Sequence, residues 1–410
     1  MLPSAQKLRN RILKDRYNSI IFEKSRDQGV YLVGGYVRDA LRGLSSKDRD
    51  YIITKDIENF VDEIREVING TVVAFKKGEI IRLSLKDGVT FDFSKPAGPI
   101  EEDLLKRDFS INAIAWSPFT GIIDPSKGLE DIKKRNIRSL SDENLISDPL
   151  RILRAYRFAS ELNGTIEEGT RKSIKMFHKR IKKASPERIT LELFHLLNSG
   201  NPVRYLKMAL SDGLLTTILS IPEITLGQNI KAISRLGTKL QKLPKKVQIQ
   251  LEKLFSQNLT YKGLLRLEVL LWRDMPFIAD LFPEIKLSNN IIKRIALTYK
   301  GMKIFKKEDR LFDIFLISRE STIDVLTLKG RFDLFKEYER FKKIWKKGLL
   351  SSLEISQIAK IKGQRIGEVI IQLKRAQYEG KIKSKKDAVK LILNILHNIS
   401  YQTYYMNKDC

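Results

Sequence analysis

Two aspartates, Asp48 and Asp50, are separated by a single residue at the start of an apolar segment that continues to residue 54. On a β-strand, residues two apart point to the same face, so both carboxylates could bind the same ions. Such oxygen ligands suit Mg²⁺, which in turn bridges phosphate groups and binds an attacking hydroxyl. The pair alone is weak evidence, because about six acidic-x-acidic spacings are expected by chance in a chain this rich in acidic residues.

A glycine pair, Gly34 and Gly35, joins a short apolar segment at residues 31–33 to a helical segment at residues 36–41. Glycines at such a junction let backbone amides approach phosphate oxygens, and the helix N-terminus adds a favourable partial charge. Arg38 lies one turn into this helix and brings a cation to the same place. A tight turn without a ligand is the alternative. Together with Asp-x-Asp, the order of elements indicates a site for a nucleoside triphosphate and two divalent metals.

The first part of the chain, which must position these residues, contains both strand and helix patterns. Five strands are predicted, at residues 31–33, 49–54, 71–76, 79–85 and 90–93. Lys86-Asp87-Gly88 predicts a hairpin between the last two, because Asp-Gly tolerates positive φ. Asp56 or Thr54 is expected to cap the helix that runs to Ile68. We therefore expect a mixed sheet of about five strands with two or three helices.

Helical periodicity dominates the sequence from Glu143 onward. Apolar residues recur at three- and four-residue spacing in residues 149–161, 169–180 and 186–197. The predicted fold class is therefore α+β, with an N-terminal mixed sheet followed by an all-helical remainder. The 410 residues are enough for roughly two to four structural units.

The chain is strongly basic, with 76 Lys and Arg against 49 Asp and Glu and a formal net charge of +27. Such an excess favours a polyanionic partner, most often nucleic acid, although membrane-surface attraction and adaptation to heat or to an unusual cytoplasm are alternatives. The last 80 residues hold 18 Lys and Arg against 8 Asp and Glu. Aromatic residues lie among them: Trp345, Tyr378, Tyr401, Tyr404 and Tyr405. This mixture is typical of an RNA-binding surface.

Residues that could bind zinc or form disulfides are few. Cys410 is the single cysteine, so a disulfide within the chain and a cysteine-based zinc site are excluded. His178, His195 and His397 are scattered, and we expect them to be packing or surface residues. No apolar signal core or 18-residue apolar run is found, so we expect a cytoplasmic protein without membrane partners.

The motif G-G-Y-V-R-D-A-L-R-G ahead of D-x-D, followed by K-R-D-F-S-I-N-A-I-A, resembles the class II tRNA nucleotidyltransferases and bacterial poly(A) polymerases. The resemblance covers residues 30–160, and it returns at residues 362–367 and 375–377. It implies a nucleotidyltransferase head similar to that of DNA polymerase beta, followed by a helical neck, body and tail. We place these parts at residues 1–137, 138–200, 201–325 and 326–410.

The resemblance also implies roles for the residues of the first motif. Asp48 and Asp50 would be catalytic and bind two Mg²⁺ ions, while Gly34, Gly35 and Arg38 would bind the triphosphate.

The segment Lys106-Arg107-Asp108 stands where the family has Arg-Arg-Asp, which implies contact with the ribose 2′-hydroxyl by Arg107 and Asp108, with Asn112 nearby. An ionised aspartate that an adjacent arginine holds can accept from a hydroxyl. Lysine at position 106 departs from the family and lacks the planar fork for a bidentate contact. A charged helix start before Phe109 is the structural alternative.

The segment Asp148-Pro149-Leu150-Arg151 stands where the family reads the nucleotide base. Asp148 would accept from an exocyclic amino group, Arg151 would donate to ring acceptors, and Arg154 would continue the same stripe. The shared helix face of Asp148 and Arg151 follows from their three-residue spacing. Ser147 replaces a family glutamate, and an ordinary helix start with Ser147 or Asp148 as N-cap is the alternative.

The function that this resemblance implies is template-independent addition of CC, or all of CCA, to the 3′ end of tRNA from CTP and ATP. The basic tail would bind the tRNA. A poly(A) polymerase or A-adding enzyme on the same fold, and an RNA-binding protein with a disabled head, are the competing interpretations. Few residues separate Phe93 from Glu101, where full CCA-adding enzymes carry a flexible loop. This short connection favours the CC-adding branch.

Overall fold

The computed structural model describes residues 2–25, 29–75, 80–271, 282–305 and 310–406, with side chains described no further than His397. The side chains of the three tail tyrosines beyond that point, all of Cys410 and the predicted strand ends at residues 76 and 79 therefore lie outside the described residues. The chain divides into two compact units. The first comprises residues 1–233, 254–273 and 280–287, and the second comprises residues 234–253, 274–279 and 288–410. The division into head, neck, body and tail stays a prediction.

A mixed sheet of seven strands within the described residues forms the centre of the N-terminal region. Its strands are β1 (Val30–Val33), β2 (Asp48–Ile53), β3 (Thr71–Phe75), β4 (Ile80–Ser84), β5 (Thr90–Ser94), β6 (Ala115–Ser117) and β7 (Gly121–Ile123). They lie in the order β3-β4-β5-β2-β1-β6-β7. The prediction of about five strands missed β6 and β7, because three-residue strands are too short to show alternation.

Strand β2 lies inside this sheet and carries both Asp48 and Asp50. It pairs antiparallel with β1, where Val33 lies opposite Asp50, and parallel with β5, where Asp92 lies opposite Asp50. Tyr51 of β2 and Phe93 of β5 are fully buried and stack at 5.5 Å between ring centroids. The strand with the carboxylates is therefore fixed on both edges.

Helices make up most of the rest of the first unit. In chain order the helices up to residue 271 are α1 (Ala5–Lys14), α2 (Arg16–Ser25), α3 (Gly35–Arg42), α4 (Ile57–Ile68), α5 (Ile100–Leu105), α6 (Gly128–Lys134), α7 (Asp142–Ser147), α8 (Leu150–Leu162), α9 (Glu168–Phe177), α10 (Pro186–Asn198), α11 (Pro202–Ser211), α12 (Leu214–Leu219), α13 (Glu223–Gln241), α14 (Lys245–Leu251) and α15 (Tyr261–Leu271). Of these, α14 belongs to the second unit, and α13 ends in it. Two short strand pairs complete this part: β8 (Asn136–Ile137) with β9 (Thr165–Ile166), and β10 (Leu254–Ser256) with β11 (Leu259–Thr260).

The predicted turns and caps of the N-terminal region agree with the structure. Asp56 caps α4 by accepting from the Asn59 amide, and Asn69 ends that helix with a φ of 55°. Gly43 ends α3 with a φ of 84°. Gly88 has a φ of 81° between the antiparallel strands β4 and β5, as the Asp-Gly signal requires.

The second unit is helical in the residues that the structure describes. Beyond α14 it contains α16 (Asn289–Ile304), α17 (Leu311–Ser318), α18 (Thr322–Lys329), α19 (Phe335–Lys346), α20 (Ser352–Ala359), α21 (Gln364–Tyr378) and α22 (Lys385–Met406). An aromatic cluster that includes Phe315, Tyr338 and Phe341 forms one core, and an aliphatic cluster around Ile355 and Leu373 forms another. The predicted α+β class is confirmed. Among the described residues, no helix combines the length and apolarity that crossing a membrane requires.

Candidate nucleotide and metal site

A single cavity of about 530 Å³ in the first unit is lined by all the residues that the sequence predicted to bind metal or nucleotide. Eleven of its lining residues were named in advance: Gly34, Gly35, Arg38, Asp48, Asp50, Arg107, Asp108, Asn112, Asp148, Arg151 and Arg154. They come from the junction of β1 with α3, from α3, β2 and α8, and from the connections next to α5 and α7. Lys106 ends α5 and does not line this cavity. The positions are thus brought together, while the role of each residue stays a prediction.

Gly34 lines the cavity where β1 passes into α3. Its φ is +70°, and a Cβ atom there would lie 3.1 Å from Nη1 of Arg107 and 3.2 Å from Oδ2 of Asp50. Any side chain would therefore be strained and would crowd the Asp50 carboxylate. The glycine leaves this carboxylate open beside the N-terminus of α3, which begins at Gly35.

Asp48 and Asp50 lie on one face of β2, as the alternation predicted, while Arg49 between them is buried on the other face. Asp48 Oδ1 accepts from the Thr90 hydroxyl at 2.7 Å. Burial raises the pKa of Asp50, the Arg107 guanidinium opposes this rise, and the negative charges of Asp92 and Asp48 add to it.

A divalent cation fits this pair, because it would neutralise carboxylates that repel each other in a partly buried place. Within the described part of the chain, no three His, Cys, Asp or Glu side chains are arranged so that they could bind a metal ion. The fit therefore rests on Asp48 and Asp50 together with the charge conflict around Asp50.

Asp92 is a neighbouring carboxylate that sequence reasoning missed. It lies directly opposite Asp50 in the β2–β5 pairing. Arg82 of β4 holds it through two hydrogen bonds of 2.6 Å. The alternation of β5, with Phe91 and Phe93 buried, shows that Asp92 faces away from the core. The pairing of β5 with β2 was needed to place it beside Asp50.

A chain of hydrogen bonds joins Arg38 on α3 to Arg154 on α8. Nη1 of Arg38 donates to Asn112 Oδ1 at 2.7 Å, and Nδ2 of Asn112 donates to Asp108 Oδ1 at 3.0 Å. Arg154 lies 2.7 Å from Asp108 Oδ2. The predicted triphosphate, ribose and base residues are thus connected through buried polar side chains, which fixes their relative positions.

Asp108 remains ionised although it is buried. Burial alone would raise its pKa. Arg154, Asn112, the Phe109 amide and Arg151 lower the pKa by more than burial raises it, so the net shift is downward. The sequence interpretation had the adjacent arginine hold this carboxylate. In the structure Arg154, 46 residues further on, does so, because α8 packs its basic face against the start of the Ser110–Asn112 turn.

Asp148 lies outside helix α8, which corrects the prediction of a helix face shared with Arg151. Its backbone is extended, with φ −130° and ψ 90°, because the following Pro149 disfavours helical geometry at the preceding residue. The Asp148 carboxylate accepts from Nη2 of Arg188 at 2.8 Å. Arg151 donates to the backbone oxygens of Arg107 and Asn144 at 3.3 and 3.1 Å. Both side chains still line the cavity.

Four further lining residues come from the helices α8 and α10. They are Arg157, Phe158, Glu161 and His195. The first three could have been found by extending the stripe of Arg151 and Arg154 along α8 at helical spacing.

The histidine had no such signal and was expected to be a packing or surface residue. Burial, followed by the Arg157 charge, lowers the pKa of His195. This histidine is therefore neutral at pH 7.

Two family profiles match parts of this chain. The profile described as Poly A polymerase head domain matches residues 90–138, and the profile described as probable RNA and SrmB-binding site of polymerase A matches residues 164–226.

Curated relatives align over part of their length. A CC-adding tRNA nucleotidyltransferase of Synechocystis sp. is 30% identical over 277 residues, which cover 66% of each chain. An A-adding tRNA nucleotidyltransferase of Deinococcus radiodurans is 33% identical over 207 residues, or 49% of this chain and 47% of that one. The aligned part of the chain thus spans about half to two thirds of the length of these relatives.

Solved structures resemble the fold over nearly the whole chain. The Thermotoga maritima CCA-adding enzyme in complex with tRNA has a TM-score of 0.71 at 21% identity, and the match covers 97% of this chain and 99% of that one. A CCA-adding enzyme in complex with ATP has a TM-score of 0.74 at 21% identity, with coverage of 95% and 98%. At this identity the likeness establishes the shared fold.

Proposed function

Because the chain belongs to the family of class II tRNA nucleotidyltransferases and poly(A) polymerases, we propose that it adds nucleotides to the 3′ end of tRNA without a template. CTP, and ATP if the full CCA is added, would be the substrates, with release of pyrophosphate. One observation carries the proposal: the carboxylate pair, the glycine turn and the arginine-rich face of α8 line one cavity.

The residues at the end of β1 would bind the triphosphate. The backbone amides at the start of α3 point to where phosphate oxygens would lie, and the Arg38 guanidinium is held beside them by Asn112. Asp48 and Asp50 would hold Mg²⁺, since a hard cation prefers carboxylate oxygens. When bound, this metal lowers the pKa of the attacking 3′-hydroxyl and stabilises the charge on the leaving phosphates.

The residues between the strands and α8 would select the nucleotide. Asp108 is ionised and can accept from a ribose hydroxyl, with Arg107 beside it and Asn112 holding one of its oxygens. Asp148 and Arg151 line the same cavity with an acceptor and a donor group, which is the combination that cytosine requires. Base recognition by side chains would replace pairing with a template strand.

The connection from β5 to α5 supports the CC-adding branch. β5 ends at Ser94 and α5 begins at Ile100. So short a connection has no room for the flexible loop that the family resemblance associates with the change from C to A specificity. We therefore propose CC addition, with a second enzyme required for the terminal A.

The test is an incorporation assay on a tRNA that lacks its 3′ CCA, with CTP and ATP supplied singly and together. We expect two C residues from CTP alone, no further extension when ATP is added, and release of pyrophosphate. Addition of A after the two C residues would identify a full CCA-adding enzyme. Extension of any RNA with ATP alone would identify a poly(A) polymerase, and no pyrophosphate release at all would leave an RNA-binding protein.

The proposed partners are tRNA, CTP and Mg²⁺, with ATP if a full CCA is added. The family resemblance and the excess of positive charge support a tRNA partner. A cytoplasmic location, where tRNA is matured, remains part of the proposal.

A further inference from the structure

A second cavity, of about 760 Å³, lies within the second unit and combines aromatic and basic side chains. Its lining residues are Phe315, Leu316, Arg319, Glu320, Tyr338, Phe341, Lys342, Trp345 and Lys346. We name it the α19 cavity, because most of these residues belong to α19. None of them takes part in the nucleotide and metal site.

The aromatic side of the α19 cavity is a row of nearly parallel rings along α19. Tyr338 and Phe341 are 6.3 Å apart with an angle of 17° between their planes, and Phe341 and Trp345 are 5.6 Å apart with an angle of 15°. Tyr338 and Phe341 are buried, whereas Trp345 is 39% exposed. The row therefore runs from the core of the unit to a partly exposed indole, and Lys374 Nζ lies 4.6 Å from the centroid of that ring.

The basic side of the α19 cavity carries a positive excess. Arg319, Lys342 and Lys346 line it, and the single acidic lining residue, Glu320, lies 3.5 Å from Lys293. Within the described residues, neither Arg319 nor Lys346 forms an ion pair. Two cations are thus available to an anionic ligand.

The backbone at the edge of the α19 cavity is strained. Arg319 has φ 46° and ψ −124°, a conformation that residues other than glycine rarely adopt. Its carbonyl accepts from the Tyr338 hydroxyl at 2.8 Å and from the Thr322 hydroxyl at 2.7 Å. The aromatic row itself therefore helps to hold Arg319 at the cavity.

We propose that the α19 cavity binds an unpaired nucleobase of the tRNA substrate against Trp345, with the flanking phosphates contacted by Arg319 and Lys346. Aromatic side chains bind any unstacked base through its π-face, and basic residues follow the backbone. A paired base inside a duplex could not enter. The inference rests on the proposed function for the identity of the RNA, and it adds a specific contact to an otherwise electrostatic binding surface.

The experiment measures Kd values of the full-length protein, without nucleotide, for a tRNA lacking its 3′ CCA and for a blunt RNA duplex without unpaired bases. Trp345→Ala should weaken tRNA binding about 5-fold or more, while Trp345→Phe retains most of the affinity. Neither variant should change duplex binding. Lys346→Ala should weaken tRNA binding more than Lys343→Ala, its control on the same helix outside the cavity lining.

Steady-state CTP incorporation separates a binding role from a structural one. Trp345→Ala should raise the KM for tRNA and leave kcat and the KM for CTP unchanged. If Trp345→Ala does not fold, Arg319→Ala and Lys346→Ala carry the same test. Unchanged tRNA affinity in these variants, or an equal loss for tRNA and duplex, overturns the proposal and leaves an apolar protein segment as the better occupant. If the wild-type protein incorporates CTP and the variants bind tRNA with normal affinity, only this inference is refuted. If the wild-type protein binds no RNA, both this inference and the proposed function are refuted.

Discussion

The guanidinium of Arg49 donates to the carboxylate of Asp15 at 2.5 Å, on the face of β2 opposite to Asp48 and Asp50. The Arg49 side chain is 4% exposed and lies 5.2 to 5.4 Å from the rings of Tyr17, Tyr36 and Phe91. This buried arginine fastens the N-terminal helices to the middle of the carboxylate strand. The position of both proposed metal ligands therefore depends on an ion pair behind them.

Replacing Asp15 by Asn should destabilise the first unit by about 2 kcal/mol, because it leaves the buried Arg49 cation without its negative partner. Urea unfolding followed by circular dichroism would measure the loss. The matched control is Glu130→Gln, which removes an exposed partner of Lys134 and should leave the free energy of unfolding nearly unchanged. Equal effects of the two substitutions would contradict a structural role for the Asp15–Arg49 pair.

Asp48→Ala and Asp50→Ala should each reduce CTP incorporation by about 100-fold or more, since each removes a proposed metal ligand. Binding of tRNA in the absence of nucleotide should change less than about twofold, because neither carboxylate would contact the RNA backbone. Single-turnover incorporation and a filter-binding assay give the two quantities. Asp62→Ala, at an exposed position of α4, is the control. Substantial turnover by either cavity variant would refute the assignment.

Asp148→Ala should lower kcat/KM for CTP by about 10- to 100-fold through loss of one contact to the base. Arg188→Ala should have a smaller effect in the same direction, because Arg188 holds the Asp148 carboxylate at 2.8 Å without lining the cavity. Steady-state kinetics with CTP and ATP would show whether discrimination changes. Glu187→Ala, at the neighbouring exposed position, should behave as wild type. If Arg188→Ala lowers kcat/KM for CTP more than Asp148→Ala does, the proposal that Asp148 contacts the base and Arg188 only holds Asp148 is wrong.

Acid should weaken the contact between α8 and α11 at Asp212. Burial raises the pKa of this carboxyl, but hydrogen bonds from Arg171 and Tyr156 outweigh burial and leave it below its usual value. Because the pKa of Asp212 is lower in the folded state, its carboxylate contributes its full stabilisation of the folded protein above the unfolded-state pKa of 3.8. That contribution is lost as the pH falls through the folded-state pKa.

Asp212→Asn should therefore cost about 2 kcal/mol at pH 7, and the difference from wild type should shrink below about pH 4. Thermal unfolding at a series of pH values would measure it. Asp333→Asn, which alters an exposed pair with Arg331, should show no measurable penalty at any pH. A penalty for Asp212→Asn that stays constant down to pH 3 would argue against an ionised Asp212.

Local signals in the sequence were sufficient for most of the elements and for the glycine turn and the carboxylate pair at the main cavity. Gly34 needs a positive φ and close approach, Asp56 caps a helix, and Asp48 and Asp50 share a face because strands alternate. Each of these follows from the conformational preferences of a few neighbouring residues. The glycine turn and the carboxylate pair were therefore identifiable from local patterns, whereas the ribose and base residues were predicted from the family resemblance.

Tertiary structure alone decided which residues are partners, because hydrogen bonds and ion pairs between distant segments depend on how the elements pack. Arg154 rather than Arg107 holds Asp108, Asp92 lies opposite Asp50 through a parallel strand pairing, and His195 reaches the cavity from α10. The sequence by itself determined the chemistry available to this protein, through residue types and local conformation. The packing of α8 against α10 and beside Asp108 decided how that chemistry is arranged, because it sets which charges are buried together.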